Sequence, residues 1–306
     1  MSKFDVSKFK HVTVALNTPF TSDGSVDVNA VKAVSRYFRD KGIKQMYVCG
    51  STGEGFLLDT EERKLVAETV VNEVGQDMNI IVHVGCPDTR HSCELAAHAE
   101  KIGAAATSAV PCVYYHLGEE SVYRHWTAIT EAADLPFFIY NIPQLTSFNL
   151  SMNLFNRMLE NPRVAGIKCS SDPAQDILRF KQAGGKDFIV FNGPDEQFIS
   201  GRVIGAEAGI GGTYGVMPEL FLKMDELVKA GKMEEAMKVQ YAANDIIYKM
   251  CSGHGNMYGM IKEMLRINES LDLGGVREPL PQLIESDLAI AQDAARMVKE
   301  AVAAYC

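Results

Sequence analysis

Short apolar runs alternate along the sequence with longer amphipathic stretches. Runs of strand length fall at 11–20, 45–50, 79–85, 104–111, 136–141, 164–168, 188–192 and 208–213. Most are almost continuously apolar, as IIVHVG at 80–85 and FFIY at 137–140 show. A strand wetted on one face alternates apolar with polar residues, whereas a strand covered on both faces does not. The runs therefore predict parallel strands with helices packed over them.

The intervening stretches carry helix punctuation. Asp59 precedes TEERKLVAETVVNEVG, and Glu62 stands three residues on, so each can bond the other's backbone as a capping box. Gly103 follows CELAAHAEKI as a stop signal, and Pro218 opens PELFLKMDELVKAG, where a first-turn proline is tolerated. Eight strand–helix repeats without a long linker predict a (β/α)8 TIM barrel, an α/β fold, in preference to an open doubly wound sheet. The sequence after the eighth strand holds more helix than one barrel repeat needs. The expected organisation is one domain over 1–306, with the barrel at 1–230 and a C-terminal helical extension at 231–306.

Composition narrows the function. A net charge of −9 disfavours nucleic acid, which needs a basic face. The mixed cluster Glu61-Glu62-Arg63-Lys64 reads as a solvated helix face. Seven cysteines, at 49, 86, 93, 112, 169, 251 and 306, form no Cys-x-x-Cys pair, which argues against a disulfide framework or structural zinc and suits a reducing cytosol. The opening MSKFDVSKFKH has no apolar signal core, and no apolar run reaches the ~18 residues of a membrane span. A soluble, cytoplasmic protein is expected. The seven histidines show no metal-ligand spacing, so no catalytic metal is expected. His116 reads as a surface histidine in a barrel loop.

Barrel enzymes place their chemistry at the C-terminal strand ends and in the loops that follow. Lys168 ends the sixth strand. Burying an ammonium is costly, and a neutral amine can attack a carbonyl to form an imine; equally, a lysine at a strand end can snorkel to solvent. Tyr140 ends the fifth strand, where a phenol can relay a proton or simply pack in the core. Gly50-Ser51-Thr52-Gly53-Glu54 offers hydroxyls and backbone N–H groups to a carboxylate, or is only a turn. Asn192-Gly193-Pro194-Asp195-Glu196 offers an acidic pair to substrate hydroxyls, or to the next helix as a cap. The glycine-rich 209–215 does not match G-x-G-x-x-G, because Tyr214 takes the third glycine's place.

Together GSTGE at 50–54, Tyr114-Tyr115, YNIP at 140–143, GIKCSS at 166–171 and the glycine-rich 209–215 resemble the superfamily of pyruvate-dependent aldolases that includes dihydrodipicolinate synthase and N-acetylneuraminate lyase. The resemblance runs through most of the chain. It implies a barrel, no metal or organic cofactor, and an imine formed on Lys168. It implies that Ser51 and Thr52 hold the substrate carboxylate. Tyr140 moves the proton with help from Ser51 and from Tyr114 of a neighbouring subunit, commonly in a homotetramer. Within the superfamily the sequence is most similar to the lyase branch. FNGPDE at 191–196 matches it, which implies that Gly193, Asp195, Glu196 and Ser170 contact sugar hydroxyls. The synthase branch carries a carboxylate-binding arginine where this chain has Leu145. Where lyases often have a substrate-bonding serine this chain has Gly212, which offers only backbone. The expected substrates are pyruvate and a 2-keto sugar acid, N-acetylneuraminate foremost. Another pyruvate-dependent aldolase, or a non-catalytic sugar-acid regulator on the same fold, is the alternative.

Overall fold

A computed structural model describes residues 2–306. Eight parallel strands close a barrel in sequence order: β1 Thr13–Ala15, β2 Gln45–Val48, β3 Asn79–His83, β4 Ala106–Ala109, β5 Phe137–Asn141, β6 Val164–Cys169, β7 Ile189–Asn192 and β8 Ala208–Gly211. The ring closes where β1 pairs with β8, Thr13 beside Ile210 and Val14 beside Gly211. Helices α1 Val28–Asp40, α2 Thr60–Val74, α3 Thr89–Lys101 and α4 Glu119–Glu131 separate the first strands. The short α5 Pro143–Thr146 and then α6 Met152–Leu159 follow β5. Helices α7 Gln175–Gly184, α8 Phe198–Val203 and α9 Pro218–Lys229 follow the last three strands. The C-terminal extension is three more helices: α10 Met233–Cys251, α11 Met257–Glu269 and α12 Glu285–Tyr305.

The punctuation operates as the sequence predicts. Asp59 accepts from the Glu62 N–H at 2.8 Å while Glu62 accepts from the Asp59 N–H at 2.9 Å. Gly103, at φ +81°, turns the chain after α3, and Pro218 opens α9. The first strand is shorter than expected. Beyond Ala15 the polar side chains leave the ladder: Asn17 donates to the Thr52 carbonyl at 3.3 Å and Thr18 to the Gly53 carbonyl at 2.6 Å. The end of β1 is thereby tied to the loop after β2.

The barrel interior is packed. Phe9, from a 3-10 turn over Ser7–Phe9, plugs the N-terminal end edge-on to Phe138, with ring centres 5.1 Å apart. Phe138 stands 5.4 Å from Phe191, forming an aromatic layer beneath the C-terminal mouth. The outer core lies between strands and helices, as in other barrels.

The cluster 61–64 departs from a solvated face. Glu61 is exposed, but Arg63 is buried and donates to the Gly85 carbonyl at 2.9 Å and the His83 carbonyl at 2.6 Å. It stitches α2 to the end of β3. Glu62 receives a two-pronged ion pair from Arg277 at 2.6 and 2.8 Å. Sequence pattern misses both because the partners lie far along the chain.

Glu54 is a second such tie. Its side chain is 0% exposed and that of Lys262, on α11, is 1% exposed; the two meet at 2.8 Å. Lys262 also donates to the Gly275 carbonyl at 2.7 Å, and the Arg277 N–H donates to Glu54 at 2.7 Å. This buried pair fastens the extension to the loop after β2. Removing one partner strands a charge in the interior, which typically costs about 3–5 kcal/mol. Lys262→Met should therefore lower the unfolding free energy measured by denaturant titration by about 3–5 kcal/mol, and Glu54→Gln/Lys262→Met should lose less. A single variant as stable as the parent would contradict this role.

Candidate active site

A cavity of about 480 Å³ opens at the C-terminal mouth. At its base, β5 and β6 run in register with Tyr140 beside Lys168, and β7 places Phe191 on the other side. Side chains two apart on a strand share a face, so Phe138 and Tyr140 both point inward. Lys168 is 6% exposed and Tyr140 is 2% exposed. The Lys168 Nζ donates to the Tyr140 hydroxyl at 3.2 Å. It also sits 4.3 Å from the Tyr140 ring centre and 5.2 Å from that of Tyr47. The lysine points into the barrel rather than out to solvent.

The surrounding polar groups leave Lys168 without a carboxylate bonded to it. Tyr47 is buried and donates its hydroxyl to Ser108 at 3.0 Å; burial pushes its pKa up, so it stays a neutral phenol. His83 packs edge-on against Tyr140. Its Nε2 accepts from the Val110 N–H at 3.3 Å, which assigns the proton to Nδ1, facing the Cys49 carbonyl at 3.1 Å. Burial, with the Arg63 guanidinium next, holds His83 well below the usual histidine range and therefore neutral.

The loop after β2 brings Ser51 to 3.5 Å from the Tyr140 hydroxyl. Thr52 lies beside it on the cavity wall. Gly212 faces Thr52 across the mouth: a Cβ there would stand 2.9 Å from the Thr52 hydroxyl, so glycine leaves that hydroxyl uncovered. Gly193 and Ser170 are packed together, and a Cβ at 193 would fall 2.0 Å from the Ser170 hydroxyl. The Gly193 N–H donates to the Cys169 carbonyl at 2.8 Å, and that of Ser170 to Asn141 at 2.8 Å.

The acidic pair divides. Asp195 is buried, and its carboxylate accepts from the Thr213 N–H at 2.9 Å and hydroxyl at 2.6 Å. Burial, against those bonds, raises its pKa to about 6. Glu196 is exposed at the rim. Of the expected residues, Lys168, Tyr140, Ser51, Thr52, Ser170, Gly193, Asp195, Glu196 and Gly212 all line this one cavity. Tyr114 does not. It is 88% exposed, at φ +83°, edge-on to Tyr115 on the outer surface. His116 is exposed as well.

The sequence model of the dihydrodipicolinate synthetase family matches residues 8–298. The chain belongs to the dihydrodipicolinate synthetase family. It is 51% identical to the N-acetylneuraminate lyase of Mediterraneibacter gnavus over 298 residues, 97% of this chain and 95% of that protein. The N-acetylneuraminate lyase of Fusobacterium nucleatum is 31% identical over 285 residues, 93% of this chain and 97% of its own. The solved Ruminococcus gnavus sialic acid aldolase catalytic lysine mutant matches with a TM-score of 0.98 at 50% identity, covering 100% of both chains.

In this member of the dihydrodipicolinate synthetase family, one wall of the cavity comes from residues that motifs do not reveal. Met257, Tyr258 and Ile261 reach in from α11. Their only sequence signal is an amphipathic helix. Burial, then Tyr140 and Glu54, pushes the Tyr258 phenol up to about 12, so it remains protonated. Lys168 is the one basic side chain among the described residues lining the cavity, against the carboxylates of Asp172, Asp195 and Glu196. Leu145 lies on the rim, 61% exposed, and gives no second cation.

Asp195 makes a checkable pH signature. Its ordinary value is 3.8 and its folded value about 6. Between those values the folded chain holds a proton that the unfolded chain has released. This contribution to stability is therefore present below 3.8 and is lost as pH rises through about 6. Asp195→Asn should flatten the fall in denaturant midpoint across that window; an unchanged slope would contradict the shift.

Proposed function

We propose that this chain is a class I aldolase that cleaves N-acetylneuraminate to pyruvate and N-acetylmannosamine, a carbon–carbon lyase working through an imine on Lys168. The observation that carries the reading is the composition of the cavity. A single buried lysine bonded to a tyrosine sits at its base, and carboxylates without a second cation line its mouth. A 2-keto acid with a polyhydroxylated tail suits that arrangement. A substrate with a second carboxylate would meet the acidic wall without a partner. The names of the matching relatives agree with this choice.

The open-chain substrate enters with its carboxylate toward the hydroxyls of Ser51 and Thr52 and the N–H groups of that turn. The Lys168 amine attacks the C2 ketone, and Tyr140 gives its proton to the departing hydroxyl, so loss of water leaves a protonated imine and the Tyr140 phenolate. Tyr140, relayed by Ser51, takes the proton of the C4 hydroxyl. The C3–C4 bond then breaks, its electron pair passing to the imine nitrogen to give an enamine, while C4 leaves as the aldehyde of N-acetylmannosamine. Tyr140 returns the proton to C3, and water hydrolyses the resulting protonated imine to pyruvate and free Lys168, the proton released going back to the Tyr140 phenolate. The imine is itself the electron sink, so the chemistry calls for no metal or organic cofactor. Asp195, Glu196, Ser170 and Gly193 hold the hydroxylated tail, with Gly212 leaving room beside Thr52.

The exposed Tyr114-Tyr115 pair is the surface by which we read assembly into a homotetramer, with Tyr114 completing a neighbour's proton relay. A cytoplasmic location suits seven free cysteines.

The reading is tested by pyruvate release over a panel of N-acetylneuraminate, other sialic acids and 2-keto-3-deoxy sugar acids, with pyruvate consumption in the presence of aspartate semialdehyde as the synthase control. N-acetylneuraminate should give the highest kcat/KM, and the control no product. Preferred turnover of aspartate semialdehyde, or sialic acid binding without turnover, would contradict the assignment. Tyr140→Phe should lower kcat by about 10²–10⁴-fold, the usual worth of a positioned proton-transfer group.

A further inference from the structure

The turn that presents the acidic pair is short of its own support. Asp195–Gln197 is a single 3-10 turn, and α8 begins directly after it with no side-chain cap. The first N–H groups of a helix have no partner within it. Here a residue from the C-terminal extension supplies one. Gln240, on α10 and 3% exposed, accepts from the Ile199 N–H at 3.0 Å and donates to the Asp195 carbonyl at 3.2 Å. It also donates to Asn244 at 2.9 Å, and Asn244 donates to the Glu196 carbonyl at 3.0 Å. Two adjacent side chains of one helix thus hold both backbone carbonyls of the acidic pair. Thr213 holds the Asp195 carboxylate from the opposite side.

We propose that Gln240, with Asn244, is a positioning residue for the hydroxyl-binding half of the site, setting where the Asp195 and Glu196 carboxylates stand and hence the affinity for the sugar tail. None of these bonds touches Lys168, Tyr140 or Ser51. The 2-keto half of the site is fixed by β5, β6 and the loop after β2, so the two halves have separate supports. This inference rests on the proposed reading of Asp195 and Glu196 as hydroxyl acceptors.

Gln240→Leu removes both functions of the amide at similar volume, leaving the Ile199 N–H without its partner in the interior and the Asp195 carbonyl with only the Phe198 N–H that closes the 3-10 turn. A lost buried partner is worth enough to move KM by about tenfold. The experiment uses the full-length protein and two readouts: KM and kcat for cleavage of the 2-keto sugar acid that the parent turns over best, and the rate of borohydride trapping with pyruvate alone. KM should rise about tenfold while trapping stays within about twofold of the parent. Unchanged KM, or trapping that falls in step with cleavage, would overturn the proposal. Should Gln240→Leu fail to fold, Asn244→Leu, at a half-buried position, carries the same comparison with an expected rise of about threefold in KM and unchanged trapping. A parent that traps no pyruvate refutes the aldolase reading itself, whereas a parent that traps and cleaves while both variants match it refutes only the role of Gln240.

Discussion

The structure turns on the register between β5 and β6. Because Tyr140 pairs with Lys168 across that ladder, a tyrosine hydroxyl and a lysine amine meet at 3.2 Å in the middle of a closed barrel. Neither strand can slide by one residue without turning every inward side chain outward. The interior below, filled by Phe9, Phe138 and Phe191, leaves no other place for the lysine's head. The barrel therefore confines a nearly buried amine beside the neutral His83 and Tyr47, with no carboxylate bonded to it among the described residues.

The rest of the site is arranged around that point by longer-range ties. The loop bearing Ser51 and Thr52 is held from both sides, by Asn17 and Thr18 at the end of β1 and by the buried Glu54–Lys262 pair. The acidic turn after β7 is held by α10 and by Thr213 after β8. The extension is thus part of the site's frame: α11 forms a wall, and α10 supports the opposite rim. The lysine–tyrosine base and the acidic rim thus have separate supports, so the rim can vary while the base keeps its geometry.

Much of this was legible in the sequence, because it is local. Continuous apolar runs, the Asp59–Glu62 box and Pro218 report on their own neighbourhoods, and they locate eight strands and their helices. Lys168, Tyr140, GSTGE and NGPDE stand at strand ends, where a barrel directs side chains to its mouth. Features that depend on distant pairing were hidden. Arg63 looks like one of four surface charges until the end of β3 is beside it. Lys262, Arg277 and Gln240 are ordinary helix and loop residues until the extension folds back on the barrel. Tyr114, to which the family resemblance gives a role in a neighbouring subunit, lies on the outer surface of the single chain.

The most direct measurement is to locate the covalent link. Borohydride reduction in the presence of pyruvate, followed by proteolysis and mass spectrometry of the peptides, should find the reduced pyruvyl adduct on the peptide containing Lys168 and at that residue alone. An adduct on a surface lysine, or an intact protein that takes up none, would contradict the account.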